Sequence, residues 1–186
     1  MMFIYDDHTF GDHFAGVLGW LWAHVGVVVG YSWDCFLTIR GIETIELRVR
    51  KQSENAFRIA QFLKKNILVD KVHYPGLKSH KNHSIAAVQQ NNLFGGVVSF
   101  SLKVDTTEAA EKFVTNTKYF KLAESLGGVK SLLCLPSKMT HVSVPREKRL
   151  KSGIQDSLIR LSCGIENIED LITDIENTLK LIKWKY

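Results

Sequence analysis

An α+β fold, with a small and largely antiparallel sheet and helices over one face, is what this sequence predicts. Three observations lead there. After residue 66, short apolar or alternating runs alternate with helical patterns in the order β-α-β-α-β-β-α-β-α. The connections are short clusters of turn residues, and neither a repeat nor a low-complexity linker divides them. A long amphipathic pattern lies ahead of this set. The chain has 186 residues, which suits one domain large enough to bury a core.

The elements follow in order. Ile42, Ile45, Val49, Ala56, Ala60 and Leu63 recur at helical spacing, which predicts one long helix between Gly41 and Asn66. Arg48, Arg50, Lys51, Glu54 and Arg58 fall mostly on its wetter faces. "VDKVHYPGL" reads as a short strand ended by Pro75-Gly76, and "NHSIAAVQQNN" as a short helix. "GGVVSFSLKV" alternates, with Val98, Phe100 and Leu102 on one face, as a half-buried strand does. Asp105 with Glu108 three residues on resembles a capping box for a helix through "EAAEKFVTNT". "YFKLA" and "KSLLCLP" are strand candidates on either side of Gly127-Gly128. Pro145 suits the first turn of "PREKRLKSG", and "DSLIRLSCG" is another strand. Asn167 caps a final helix with Ile168, Leu171, Ile172, Ile175, Leu179 and Ile182 as its apolar stripe.

Composition narrows the function classes. The formal net charge is +5, but Lys and Arg are mixed with acids and form no block interleaved with aromatics, which argues against nucleic-acid binding. Three cysteines (Cys35, Cys134 and Cys163) without a C-x-x-C pair argue against a disulfide scaffold or zinc knuckle and suit a reducing cytoplasm. Phe14 to Trp33 carries no formal charge and is long enough to cross a bilayer. It also holds His24 and several glycines, and acids rather than lysines precede it, so a buried core segment is the plainer reading.

Four places invite a chemical reading. Arg160 sits mid-strand beside Leu158 and Ser162, opposite Ile159, Leu161 and Cys163. A guanidinium there is either a solvated side chain on the open face or a fork for a carboxylate. Glu124-Ser125 precedes two glycines that permit unusual backbone angles: a plain turn, or a place where Ser125 offers a hydroxyl and an amide to a ligand. His80 and His83 are spaced like metal ligands on a helix, but no acid stands beside them and a solvated helix start is the expectation; no metal is expected. Cys134 and Cys163 lie in apolar strands and read as inert core thiols.

The ordered set "DCFLTIRGIETIELRVRKQSENAFRIAQFL", "VHYPGLKSHKNH", "FGGVVSFSL", "KLAESLGGVKSLLCLPSKMTH" and "GIQDSLIRLSCGIENIEDLITDIENTL" resembles the carboxy-terminal half of the Cys/Met-metabolism family of pyridoxal-phosphate enzymes, over about residues 34 to 182. "AESLGGVKSL" with "MTH" sits nearer its cystathionine γ-synthase and γ-lyase branch than its β-lyases. The resemblance implies the small carboxy-terminal domain of a fold-type-I transferase. Its divisions would be a poorly matching remnant of the cofactor domain (1–33), a linking helix (34–66) and the α+β domain (67–186).

The resemblance also implies roles. Arg160 would grip the substrate α-carboxylate, Ser125 would help hold it, Glu124 would line the substrate side-chain pocket, and Thr140 would lie near the same group. The substrate would be an amino acid of transsulfuration, a homoserine ester, cysteine or cystathionine, in a cytoplasmic enzyme that forms homo-oligomers. The family's cofactor lysine lies in a Ser-x-Thr-Lys-Tyr context followed by Gly-His-Ser-Asp, in an amino-terminal half that this sequence does not match. "TNTKYF" imitates it, but Lys118 stands just before "KLAESLGG" and no Gly-His-Ser-Asp follows, so it is rejected. The expectation is therefore a substrate-gripping domain that does not bind the cofactor or catalyse alone. The alternative is a non-catalytic module that pairs with a full-length relative.

Overall fold

The computed structural model describes residues 30–182. The apolar run of residues 14–33, read as core or membrane span, lies almost wholly outside them. Among the described residues no helix is long and apolar enough to cross a membrane. The chain divides into a first unit ending at Ile45 and a second beginning at Glu46.

In the first unit, residues 30–42 form helix α1. Its side chains are largely exposed, Tyr31, Trp33, Phe36 and Ile39 among them. A turn at Glu43 and Thr44 separates α1 from α2 (Ile45–Lys65), so the helix expected between Gly41 and Asn66 is α2, starting four residues later, while Gly41 and Ile42 end α1. Glycine and threonine are poor helix formers, and both stand at the break. The predicted stripe is also only half buried. Ala56, Ala60 and Leu63 are fully buried, whereas Ile42, Ile45 and Val49 are exposed, because the packed core begins further along α2.

The second unit is a five-stranded sheet in the order β1-β2-β5-β4-β3. The strands are β1 (Val69–His73), β2 (Val97–Leu102), β3 (Lys121–Leu122), β4 (Leu132–Cys134) and β5 (Ile159–Ser162). All pairings are antiparallel except β3 with β4. The helices between and after them are α3 (His83–Gln89), α4 (Thr107–Val114), α5 (Arg146–Lys151) and α6 (Ile168–Lys180). The α+β class read from the sequence is what the chain adopts.

Period-two alternation gives the sheet two unlike faces. Val98 opposite Leu161, Leu161 opposite Leu133, and Phe100 opposite Ile159 make the core face. On it pack Ala56, Ile59 and Leu63 of α2, Phe113 of α4, and Leu171, Ile175 and Leu179 of α6, in one continuous cluster. Phe100 and Phe113 meet edge to face with ring centroids 5.4 Å apart. The other face carries Ser99, Arg160 and Cys134 in one cross-strand row.

The helix ends show which side chains win competing jobs. Asn167 caps α6, accepting from Glu169 N at 2.9 Å. At α4 the cap is Thr106, whose hydroxyl accepts from Ala109 N at 3.2 Å, and not Asp105 as the sequence suggested. Asp105 is drawn instead to the approach to β5, where its Oδ1 accepts from Ser157 N, two residues before the strand, at 2.9 Å.

Candidate functional site

Arg160 stands on the sheet face opposite the helix-packed core. It is half-buried, and its register partners there are Ser99 on β2 and Cys134 on β4. Its one hydrogen bond among the described residues is from Nη2 to the carbonyl of Ser125, at 3.3 Å. A guanidinium has five N–H donors in a planar fork and keeps its charge at any physiological pH. Arg160 therefore holds donors and a positive charge to which no protein carboxylate is bonded among the described residues.

The loop that brings Ser125 there is fixed from two sides. Ala123 N continues the β3 ladder to Leu133 O at 2.9 Å. Two residues beyond Ser125, Gly127 takes φ +80°, a left-handed conformation that favours glycine. Its amide donates to Ser162 Oγ at 2.9 Å, on the same sheet face as Arg160. From the helix side, Gln52 Nε2 donates to the carbonyls of Gly127 at 3.2 Å and Gly128 at 2.8 Å.

A second set of bonds holds the far end of the loop. Glu166 accepts from Ser131 N at 2.6 Å and from its hydroxyl at 2.8 Å, while Ser131 Oγ accepts from Gly164 N at 2.9 Å. Asn55 Nδ2 donates to Gly164 O at 3.0 Å and Glu166 O at 2.9 Å. A Cβ on Gly164 would run into Glu166 and the Val129 carbonyl, so this approach admits no side chain. Gln52, Asn55, Ser162 and Glu166 were missed in the sequence as site-building residues. The available signal was polar side chains at core positions of an amphipathic helix: Gln52 and Asn55 lie one turn before Ala56 and Ile59.

The other predicted residues fall at graded distances from this centre. Glu124 adjoins Ser125 and is exposed. It acts electrostatically on Cys134, as Arg160 does with opposite sign, so the three share one neighbourhood. Burial pushes the Cys134 thiol up, Arg160 opposes the shift and Glu124 adds to it. Cys163 is pushed up by burial alone in the main, with Glu166 adding, and both thiols are buried. Thr140 makes no hydrogen bond to Arg160 among the described residues. It is exposed in the turn after β4, with its hydroxyl 2.8 Å from His141 Nδ1.

Lys118 belongs to a different place altogether. Its amide donates to Asp174 Oδ1 at 2.8 Å, and the next amide to Asp174 Oδ2 at 2.8 Å, which ties the loop to α6 on the helix-covered side of the sheet. His83 is not simply solvated at a helix start, as expected. It is half-buried, bonds Pro75 O through Nδ1 at 2.8 Å and stacks on Phe94. Among the described residues no three metal-ligating side chains converge.

The groups gathered at Arg160 are a backbone carbonyl, a carboxylate and a buried thiol. They supply a positive fork suited to an anionic carboxylate. They supply neither an amine for a covalent cofactor linkage nor a cradle of amides for a phosphate. Taken by themselves they do not fit pyridoxal phosphate.

Comparison with known proteins follows the same outline. Residues 11–180 match the model of the Cys/Met metabolism PLP-dependent enzyme family, a span that starts ahead of the segments quoted from residue 34. A cystathionine β-lyase of Lactococcus lactis subsp. cremoris (strain MG1363) is 48% identical over 172 residues, covering 92% of this chain and 44% of the relative. A cystathionine γ-lyase of Dictyostelium discoideum is 47% identical over 171 residues, covering 92% and 43%. The crystal structure of cystathionine γ-synthase from Xanthomonas oryzae pv. oryzae with cystathionine matches at TM-score 0.74 and 45% identity, over 80% of this chain and 38% of that one. The chain thus spans less than half the length of the relatives it matches, and these carry β-lyase, γ-lyase and γ-synthase names alike.

Proposed function

We propose, from the premise that this chain belongs to the Cys/Met metabolism family of PLP-dependent enzymes, that residues 46–182 form the substrate-carboxylate side of a transsulfuration active site. Arg160 receives the α-carboxylate of the amino acid through the N–H groups that bond no other protein atom among the described residues. The observation that carries this reading is a half-buried guanidinium, held by a neutral carbonyl and by no acid among the described residues. A bidentate carboxylate contact is directional as well as strong, so it fixes both position and orientation.

Ser125 does two things in this reading. Its carbonyl accepts from Nη2 and sets the guanidinium plane, while its hydroxyl and amide face the same carboxylate. Glu124, one residue back and exposed, meets the substrate's side chain and discriminates by charge. Thr140 is a peripheral contributor, since its hydroxyl pairs with His141. Gln52 and Ser162 act at one remove, by holding the two glycines that place Ser125.

When bound in a complete site of this family, pyridoxal phosphate supplies the electron sink for the reaction. The 186 residues contribute recognition and orientation, and alone they release no thiol from cystathionine. The substrate is an amino acid such as cysteine, cystathionine or a homoserine ester. The test compares L-cysteine with L-cysteinamide, which lacks the carboxylate, by calorimetry on the wild-type chain and on Arg160→Lys. Cysteine is expected to bind and the amide not to, with binding by Arg160→Lys weaker by about tenfold or more, since a bidentate contact is lost. Equal binding of the two compounds would refute the assignment. So would thiol release on adding pyridoxal phosphate and cystathionine, for the recognition-only part.

A second reading, an assembly module that pairs with a full-length relative, has one observation in its favour. Helix α1 leaves Tyr31, Trp33, Phe36 and Ile39 exposed, more apolar surface than one short helix ordinarily shows. Light scattering of the chain with and without a full-length relative decides it: a mixed species supports pairing, and two independent peaks exclude it.

A further inference from the structure

A cleft of about 580 Å³ opens where α2, the β1–α3 connection and the loop after α3 meet. None of Arg160, Ser125, Glu124 or Thr140 lines it, so it is separate from the carboxylate site. Its volume is in the range that holds drug-sized ligands. Helix α2 presents Phe57 and Lys64, two turns apart on one stripe, with Lys65 beside them. Lys78 comes from the connection, His83 from α3 and Phe94 from the following loop.

The cleft has an apolar wall and a cationic rim. Phe94 stacks on His83 with ring centroids 5.4 Å apart and meets Tyr74 edge-on at 6.3 Å. Gly76 makes room for this arrangement, since a Cβ there would stand 2.6 Å from Tyr74 and 2.9 Å from Phe94. The His83 ring is oriented by its Nδ1, 2.8 Å from the Pro75 carbonyl. A carbonyl only accepts, so Nδ1 carries the proton and Nε2 is the ring's other hydrogen-bonding atom. Lys64 is held at the rim by Ser79 Oγ at 3.0 Å. Lys64, Lys65 and Lys78 line the cleft, and no carboxylate lines it among the described residues.

We propose that this cleft binds a small planar aromatic phosphate of mononucleotide size, its ring against Phe57, Phe94 and His83 and its phosphate among Lys64, Lys65 and Lys78. Lysine is a point-charge donor well matched to a phosphate dianion, and an aromatic wall holds a planar ring by stacking and apolar burial. Each half of such a ligand answers one half of the lining.

The test uses the whole chain and adenosine 5′-monophosphate as probe, with adenosine and inorganic phosphate as its separated halves. Calorimetry is expected to show saturable binding of the monophosphate, weaker at raised salt, with both halves at least tenfold weaker. Lys64→Glu and Lys78→Glu, both at exposed positions that leave the core intact, are each expected to lower the affinity about tenfold. Phe94→Leu, with an unchanged circular dichroism spectrum, is expected to weaken the monophosphate and leave inorganic phosphate unaffected. No binding at millimolar probe, unchanged affinity in the charge reversals, or equal affinity for inorganic phosphate or for adenosine would each overturn the proposal.

Discussion

Two arginine environments lie within fifteen residues of each other and could hardly differ more. At the foot of β5, Asp156 accepts from Arg146 Nε at 2.8 Å and Nη2 at 2.6 Å, and from Arg149 Nη2 at 2.6 Å. Arg149 is buried there, with a side chain 8% exposed, and its charge is met by a carboxylate that is itself 12% exposed. Four residues past Asp156, Arg160 has one long bond to a neutral carbonyl. A buried guanidinium tied to an acid fastens α5 to the sheet. A half-buried guanidinium without an acid is a place where an anion from outside gains more than it would in water. The contrast marks Arg149 as a structural arginine and supports the proposal that Arg160 binds an anion.

The largest effect expected falls on the structural side. Asp156→Asn leaves Arg149 charged and buried without a counter-ion, and is expected to cost about 3 kcal/mol of stability, read from the urea midpoint. Arg160→Ala, by contrast, is expected to change stability by no more than about 0.5 kcal/mol while abolishing cysteine binding. If Arg160→Ala were the more destabilising of the two, the distinction would collapse.

Acid sharpens the same comparison. The Asp156 carboxyl is held below the usual carboxylate range, first by its hydrogen bond to Arg146, with Arg149 adding and burial opposing. Its folded value is thus the lower one. The stabilisation is fully present above the unfolded value of about 3.9, and is lost as pH falls through the folded one. Urea midpoints taken downward from pH 5 should therefore fall for the wild type and flatten in Asp156→Asn. Parallel curves would remove Asp156 from the account.

Smaller effects belong to the loop that serves Arg160. Gly127→Ala meets no clash but must adopt φ +80°, which costs about 1–2 kcal/mol. Gln52→Ala removes two bonds to the glycine carbonyls and is expected to cost about 1–2 kcal/mol. Both should weaken cysteine binding alongside stability, because both displace Ser125. Wild-type cysteine affinity in either variant would mean that the loop does not position the serine.

Much of this architecture was legible in the sequence, for a physical reason. Alternation of Val98, Phe100 and Leu102, and the stripe from Ile168 to Ile182, are imposed by burial on one side, and burial is what periodicity reports. The same pattern misled at the start of α2. Ile42, Ile45 and Val49 continue the stripe in sequence, yet the packed core does not extend to them. Asp105 and Thr106 are both good caps, and the choice was made by Ser157, fifty-two residues away, which no local pattern encodes.

At the site, residue type and setting singled out Arg160 and Ser125 but left a solvated arginine and a plain turn open, and only the resemblance gave them a shared role; the structure links the two by a hydrogen bond. Thr140 was legible only through resemblance, and the structure leaves it with His141. Gln52, Ser162 and Asn55 were read as helix or strand positions and nothing more. Their partners are backbone carbonyls and amides far along the chain, invisible until the chain folds.

The central claim is that the Arg160 guanidinium is kept without a bonded acid so that it can take a substrate carboxylate. Its side-chain N–H resonances, followed by NMR during titration with L-cystathionine, test this most directly. The account predicts saturable shifts of the Arg160 signals, while those of Arg146 and Arg149 on Asp156 stay in place. Arg160 signals that do not move, or that move no more than those of Arg149, would contradict it.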